Sequence, residues 1–181
     1  RTAGANNLNV RFGTNYKEKN IFMTCGAAAS LNIILKAIIE AEDEVIVNIP
    51  YFPEYKVFVE GQGGKFITAK CRKNLQLDIN ELDRLINKNT KAIIINSPNN
   101  PSGVVYPSSN IKELVELLYK KQVEFNRSIF LISDEPYREL VYIEEKPEFL
   151  PNVYENTLVA YSWSKSLSLP GERIGYILVP D

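Results

Sequence analysis

Lys165 stands among small polar residues, directly after an apolar run that is typical of a buried strand. The segment reads Ser162-Trp163-Ser164-Lys165-Ser166. An amine near the low-dielectric floor of a cleft has a lowered pKa and becomes a nucleophile for aldehydes. The alternative is a solvated surface lysine, but the position after a strand and the lack of a helical charge pattern favour a chemical role.

Two features suit the binding of a phosphate. Arg173 follows Pro170-Gly171, where the chain can turn back toward Lys165, and a guanidinium beside serine hydroxyls is a good receptor for a phosphate dianion. The Gly26-Ala27-Ala28 turn opens a helical pattern, whose free amides and dipole also favour an anion. A strand-to-helix turn needs small residues in any case, so Gly26 alone does not show that a phosphate binds there.

An acid and a phenol follow another apolar run, in Ser133-Asp134-Glu135-Pro136-Tyr137. A buried carboxylate is costly unless it meets a cation, and a protonated pyridine nitrogen would be such a partner. Tyr137 would then be placed to hydrogen-bond an oxygen of the same ring. The alternative is an Asp134 that caps a helix, followed by a tyrosine in the core.

Two further loops carry polar or aromatic side chains. Asn96–Gly103 is a proline-braced turn in which the amide of Asn100 could meet a phenolic oxygen from the side opposite Tyr137. Pro50–Tyr55 follows a strand, and an aromatic residue there could stack on a planar ring. An ordinary tight loop and ordinary core packing are the alternatives for these two segments.

The composition excludes several function classes. The chain has 181 residues and no histidine, which excludes Ser-His-Asp and Cys-His systems as well as histidine-based zinc sites, and the sequence predicts no metal site. A net charge of −1 gives no reason to expect nucleic acid or a membrane surface as a partner. Two cysteines, Cys25 and Cys71, predict reduced thiols and a cytoplasmic location.

Short apolar runs alternate with helical patterns, which predicts an α/β fold with a mainly parallel sheet. Seven strands are predicted: Ile21–Thr24, Glu44–Asn48, Lys65–Ala69, Ala92–Asn96, Ile129–Ser133, Thr157–Tyr161 and Arg173–Val179. Four helices are predicted: Ala27–Glu40, Phe52–Glu60, Ile79–Asn87 and Ser108–Phe125. The loop before the last strand is too short for a parallel crossover, so that strand is expected to run antiparallel.

The polar clusters all follow predicted strands. Ligands in open sheets of this kind bind beyond the carboxyl ends of the strands. We therefore expect four of these clusters to meet at one edge of the sheet: Thr24–Gly26, Asn96–Gly103, Asp134–Tyr137 and Ser162–Lys165.

Together these motifs resemble the class I/II aminotransferases, which are fold-type I pyridoxal-phosphate enzymes, and in particular their aspartate aminotransferase-like members. The resemblance covers roughly Phe12 to Pro180 and is strongest around Lys165, with a small residue three positions before it and Arg173-Ile174-Gly175 after it. It implies a three-layer α/β/α large domain with a seven-stranded sheet and one antiparallel strand. It also implies an enzyme that moves an amino group between an amino acid and a 2-oxo acid.

The resemblance further assigns roles to individual residues. Lys165 would hold pyridoxal 5'-phosphate (PLP) as a Schiff base, Asp134 would pair with the ring nitrogen, and Tyr137 would contact the ring oxygen. The remaining cofactor-binding residues are Asn100 at the ring oxygen, Phe52 at the ring face, and Gly26, Ala27, Ala28, Ser162, Ser164 and Arg173 around the phosphate.

The family is about twice as long as this chain. We therefore expect residues 1–181 to be a cofactor-binding large domain without the N-terminal segment and the C-terminal small domain, and poorly active alone. The family also implies a homodimer and an aspartate- or aromatic-type substrate. Two alternatives share the fold: a PLP-dependent C–S lyase, and the cofactor-sensing domain of a transcription regulator.

Overall fold

The computed structural model describes all residues, 1–181, and places a single seven-stranded sheet at the centre of the chain. Its strands are β1 (Ile21–Thr24), β2 (Glu44–Asn48), β3 (Lys65–Ala69), β4 (Thr90–Asn96), β5 (Phe130–Asp134), β6 (Thr157–Ser162) and β7 (Gly175–Leu178). The spatial order is β1-β7-β6-β5-β4-β2-β3. All seven predicted strands are present, which confirms the predicted α/β class.

One strand, β7, runs against its neighbours. It pairs antiparallel with both β1 and β6, whereas the pairs from β6 through β3 are parallel. The prediction of one antiparallel strand is confirmed. Because β7 is reversed, it begins at the edge of the sheet where the parallel strands end, and Arg173, just before β7, is brought to that edge.

Six helices flank the sheet: α1 (Thr2–Phe12), α2 (Ala27–Ile38), α3 (Glu54–Gly61), α4 (Ile79–Leu85), α5 (Ser108–Phe125) and α6 (Trp163–Ser166). On one face, α2 and α3 bury Leu31, Leu35 and Val59 against the strands. On the other face, α4 and α5 cover β4 and β5, while α1 covers β6 and β7. The predicted three-layer arrangement is confirmed. No helix combines the length and the apolar character needed to cross a membrane.

The predicted boundaries differ from the observed ones at several ends. β4 starts two residues before its predicted start because Thr90 pairs with Glu44. β5 begins and ends one residue later than predicted. β7 excludes Arg173, whose φ of 50° takes it out of extended geometry. Helices α2 and α4 stop short of their predicted ends because the next residues, Ile39 and Ile86, are extended.

Three helical features were predicted wrongly. Helix α3 starts at Glu54 rather than Phe52, after Pro53 in the N-cap position. Helix α1 was not predicted, since its asparagine-rich sequence has little helical preference; packing of Ala5 and Leu8 into the core holds it. Helix α6 is a single turn, which has no detectable periodicity.

Candidate active site

A cleft lies at the edge of the sheet where the parallel strands end, and its empty space is about 720 Å³. The loops after β4, β5 and β6 meet there with the start of α2, as predicted from the positions of the polar clusters. The lining residues are Ala27, Ala28, Leu31, Phe52, Asn100, Asp134, Pro136, Tyr137, Ser162, Ser164, Lys165, Pro170 and Arg173. Every predicted site residue except Gly26 is among them, whereas Leu31, Pro136 and Pro170 were not predicted.

Asp134 forms the floor of the cleft. It is the last residue of β5 and only 5% of its surface is exposed. Its Oδ2 accepts a hydrogen bond of 2.5 Å from the Tyr55 hydroxyl, whereas Oδ1 is buried without a partner. Burial raises the pKa of Asp134 to about 7, against which the Tyr55 hydrogen bond acts. The arrangement would accept a cation or a proton donor at Oδ1, and the helix-capping alternative for Asp134 is excluded.

Tyr55 was missed by the sequence analysis. It lies in the first turn of α3, fully buried, and packs edge-on against Phe52 with ring centroids 5.6 Å apart. Burial raises its pKa well above the usual value, which keeps the phenol protonated and able to donate. The three-residue spacing between Phe52 and Tyr55 was the available signal, because in a helical turn it places both rings on one side.

Tyr137 and Asn100 meet at one wall of the cleft. The Asn100 side-chain amide lies 3.4 Å from the Tyr137 hydroxyl, within reach for a donated hydrogen bond. Asn96 secures this wall, because its Oδ1 accepts from the Asn100 backbone amide at 2.6 Å and its amide donates to the Asp134 carbonyl at 2.9 Å. Burial raises the pKa of Tyr137, so its phenol is also a donor.

Lys165 lies in the single turn of α6, above the floor. The Ser162 side chain caps this turn by accepting from the Ser164 amide at 3.2 Å. The Lys165 ammonium is 5.9 Å from the centre of the Tyr137 ring. The lysine is exposed, so the expectation of a low-dielectric setting is wrong in this respect: the helical turn lifts its side chain to the rim, while Asp134 takes the floor.

Arg173 and the start of α2 form the opposite end of the cleft. The Arg173 guanidinium donates to the carbonyls of Pro170 and Cys25, at 3.1 and 3.3 Å. A side chain at Gly26 would come within 2.9 Å of that guanidinium, and Gly26 has a φ of 91° that favours glycine. The first amides of α2, at Ala27 and Ala28, point out of the helix without intrahelical partners. This end of the cleft suits an anion.

Comparisons with known proteins agree with this geometry. The family model described as "Aminotransferase class I and II" matches residues 5–181. The probable aspartate/prephenate aminotransferase of Aquifex aeolicus is 36% identical over 172 residues, covering 92% of this chain and 42% of that protein. The probable aspartate aminotransferase of Methanocaldococcus jannaschii is 32% identical over 178 residues, covering 98% of this chain and 45% of that protein.

Solved structures show the same likeness. An aminotransferase from Eubacterium rectale superposes with a TM-score of 0.97 at 53% identity, covering 99% of this chain and 46% of that one. The aspartate aminotransferase of Thermus thermophilus solved with maleate gives a TM-score of 0.89 at 32% identity, covering 99% and 46%. The chain thus spans less than half the length of these relatives. It belongs to the family of class I and II aminotransferases.

Proposed function

We propose that the full-length protein is a PLP-dependent aminotransferase that moves an amino group between an amino acid and a 2-oxo acid, with Lys165 as the lysine that holds the cofactor. Residues 1–181 would be its cofactor-binding large domain. Family membership supports the reaction class. The cleft supports the cofactor.

The observation that best supports PLP as the cofactor is the unpartnered Oδ1 of Asp134. A carboxylate buried to this extent needs a cation or a donated proton, and no basic side chain of the chain contacts it. A protonated pyridine nitrogen supplies that partner, and Asp134 would in turn hold the proton on the nitrogen. The residues present therefore fit the protonated ring nitrogen of PLP, which needs a buried negative charge beside it.

The other parts of the cofactor also find receptors. Arg173 and the first amides of α2 suit the phosphate, and Ser162 and Ser164 lie next to this end of the cleft. The phenol of Tyr137 and the amide of Asn100 would both donate to the ring oxygen. Phe52 would lie against the ring face.

Lys165 would have two tasks. Its amine would hold the aldehyde of PLP, and the same amine would carry a proton to and from the substrate's α-carbon. Bound PLP supplies an electron-withdrawing ring that stabilises negative charge at that carbon. Because Lys165 is at the rim, its amine is accessible to a substrate that enters from solvent.

The relatives' names favour transamination over C–S cleavage or transcriptional regulation, and an aspartate-type substrate is the first to test. The family resemblance further supports a homodimer. Cys25 and Cys71 are free thiols, which supports a reducing, cytoplasmic location.

The test is to add PLP to the full-length protein, reduce with borohydride and map the modified peptide. We expect the label on Lys165, its loss in Lys165→Arg, and no change in Lys146→Arg, a matched substitution in an exposed turn. A panel of amino-acid donors and 2-oxo acids then identifies the substrates. A label on another lysine would refute the assignment.

A further inference from the structure

Arg138 is a buried arginine on the far side of the loop that carries Asp134 and Tyr137. Only 7% of its surface is exposed. Its guanidinium carbon lies 5.1 Å from the ring centre of Phe12, 5.0 Å from that of Phe149 and 5.2 Å from that of Tyr161. These three rings, here called the aromatic box, surround a charge that is otherwise costly to bury.

The charge is paired with Glu135, and the pair closes the turn that presents Tyr137. The Arg138 and Glu135 side chains form a salt bridge, and the Arg138 amide lies 3.5 Å from the Glu135 carbonyl. Glu135 is itself fixed, because its side chain accepts from the Ser133 hydroxyl at 2.6 Å and its amide donates to the Ala160 carbonyl at 2.8 Å. Tyr137 therefore lies in a turn whose two ends, Glu135 and Arg138, are both fixed by contacts.

The aromatic box also reaches the lysine segment. The hydroxyl of Tyr161 lies 3.0 Å from that of Ser166, the residue next to Lys165. Tyr161 in turn packs against Trp163, with ring centroids 5.4 Å apart. Contacts therefore run from the turn of Tyr137, through Arg138 and Tyr161, to the turn that carries Lys165.

We propose that Arg138 is a positioning residue that fixes the Tyr137 phenol relative to Lys165 by holding the 135–138 turn against the aromatic box. This inference rests on the proposed function, since it concerns how Tyr137 meets a cofactor bound at Lys165. Arg138 lines no part of the cleft and touches no reacting atom. It acts through Tyr137.

The test uses the full-length protein with PLP and follows how the absorbance of the lysine-bound cofactor changes with pH. A phenol that donates to the ring oxygen favours the deprotonated form of the adduct and lowers the pH midpoint. We expect Tyr137→Phe to raise the midpoint and Arg138→Met to raise it by about one pH unit. In the Tyr137→Phe background, Arg138→Met should add little, because both changes remove the same contact.

Arg11→Met is the matched control. The Arg11 guanidinium lies over the same Phe12 ring, at 5.1 Å, but it is partly exposed and pairs with Glu139, the residue after Arg138, rather than with Glu135. It should leave the midpoint unchanged. Arg138→Lys keeps a charge for Glu135 but loses the flat guanidinium, so we expect a smaller rise and partial rescue.

The outcomes separate the two proposals. A folded Arg138→Met with the wild-type midpoint overturns the positioning role, as does a rise that adds fully to that of Tyr137→Phe. If Arg138→Met does not fold, Arg138→Lys decides in the same way, and a wild-type midpoint in that variant overturns the role. If the wild-type protein forms no adduct at Lys165, the proposed function fails, and the role of Arg138 fails with it.

Discussion

Tyr55 donates its hydroxyl hydrogen to one carboxylate oxygen of Asp134, at 2.5 Å, and leaves the other oxygen buried without a partner. The bond fixes the carboxylate plane, because both side chains are buried and neither can turn into solvent. Asp134 is thus oriented by a residue of α3, although it belongs to β5, two strands away from β2 in the sheet.

Tyr55→Phe should weaken PLP binding and lower kcat of the full-length protein by about tenfold, since a hydrogen bond to a charged group contributes roughly 1.5–3 kcal/mol. The shape of the buried side chain is kept, so the protein should still fold, with a lower free energy of unfolding because the Asp134 carboxylate loses its hydrogen bond. Titration with PLP and steady-state kinetics measure the two effects. Tyr119→Phe, which removes an exposed hydroxyl bonded to Glu155, is the control. Wild-type behaviour of Tyr55→Phe would rule out the orienting role.

Asp134 should make the stability of the cofactor-free protein depend on pH. Burial raises the folded-state pKa of its carboxyl from 3.8 to about 7, so the folded state binds the proton more tightly than the unfolded one. The stabilisation is complete below about pH 4 and is lost as the pH rises through about 7. Chemical denaturation across this range should show a fall that is smaller in Asp134→Asn. Equal slopes in the two proteins would contradict the assignment.

Gly175→Ala should destabilise the fold strongly. A Cβ at this position would lie 2.4 Å from the Tyr161 carbonyl oxygen and 2.8 Å from the Gly26 Cα, and backbone atoms of β6 and of the turn before α2 cannot withdraw cheaply. We expect a loss of at least about 3 kcal/mol in the free energy of unfolding, or no folded protein. Gly61→Ala, at the end of α3 with nothing within 4 Å, should be neutral or slightly stabilising. Thermal denaturation compares them.

Residues 1–181 expressed alone should fold but transaminate poorly. Buried hydrophobic clusters lie on both faces of the sheet, whereas the family resemblance places the arginine that binds the substrate carboxylate in a small domain outside these residues. Circular dichroism checks folding, and a coupled assay with aspartate and 2-oxoglutarate compares turnover with that of the full-length protein. Equal turnover would show that the small domain is dispensable.

Much of the fold was predictable because its signals are local. The run Ala92–Ile95 is apolar throughout, as a strand covered on both faces must be, and Leu114, Leu117 and Leu118 repeat at helical spacing in α5. Helix α1 was not predictable in this way. Its side chains are held by contacts with residues far away in the sequence, such as the stacking of Phe12 on Phe149 at 4.1 Å.

Some residues of the candidate site could likewise be predicted from the sequence, and others could not. Asp134, Tyr137, Asn100 and Lys165 could be grouped because parallel strands bring their carboxyl ends to one edge. Arg138 could not, since its importance depends on which side chains it faces across the fold. The spacing of Tyr55 from Phe52 indicates a shared side, but not the hydrogen bond from Tyr55 to Asp134. The exposure of Lys165 was mispredicted because a one-turn helix leaves no pattern in the sequence.

The reversed direction of β7 has a consequence for protein engineering. Because the strand starts where β6 ends, Lys165 and Arg173 are carried by one continuous stretch, residues 162–175, that joins two paired strands. That stretch could be exchanged between relatives as a single cassette without breaking a sheet connection. Asp134 lies on a separate strand, so a chimera would recombine the proposed covalent anchor of the cofactor independently of the proposed partner of its ring nitrogen.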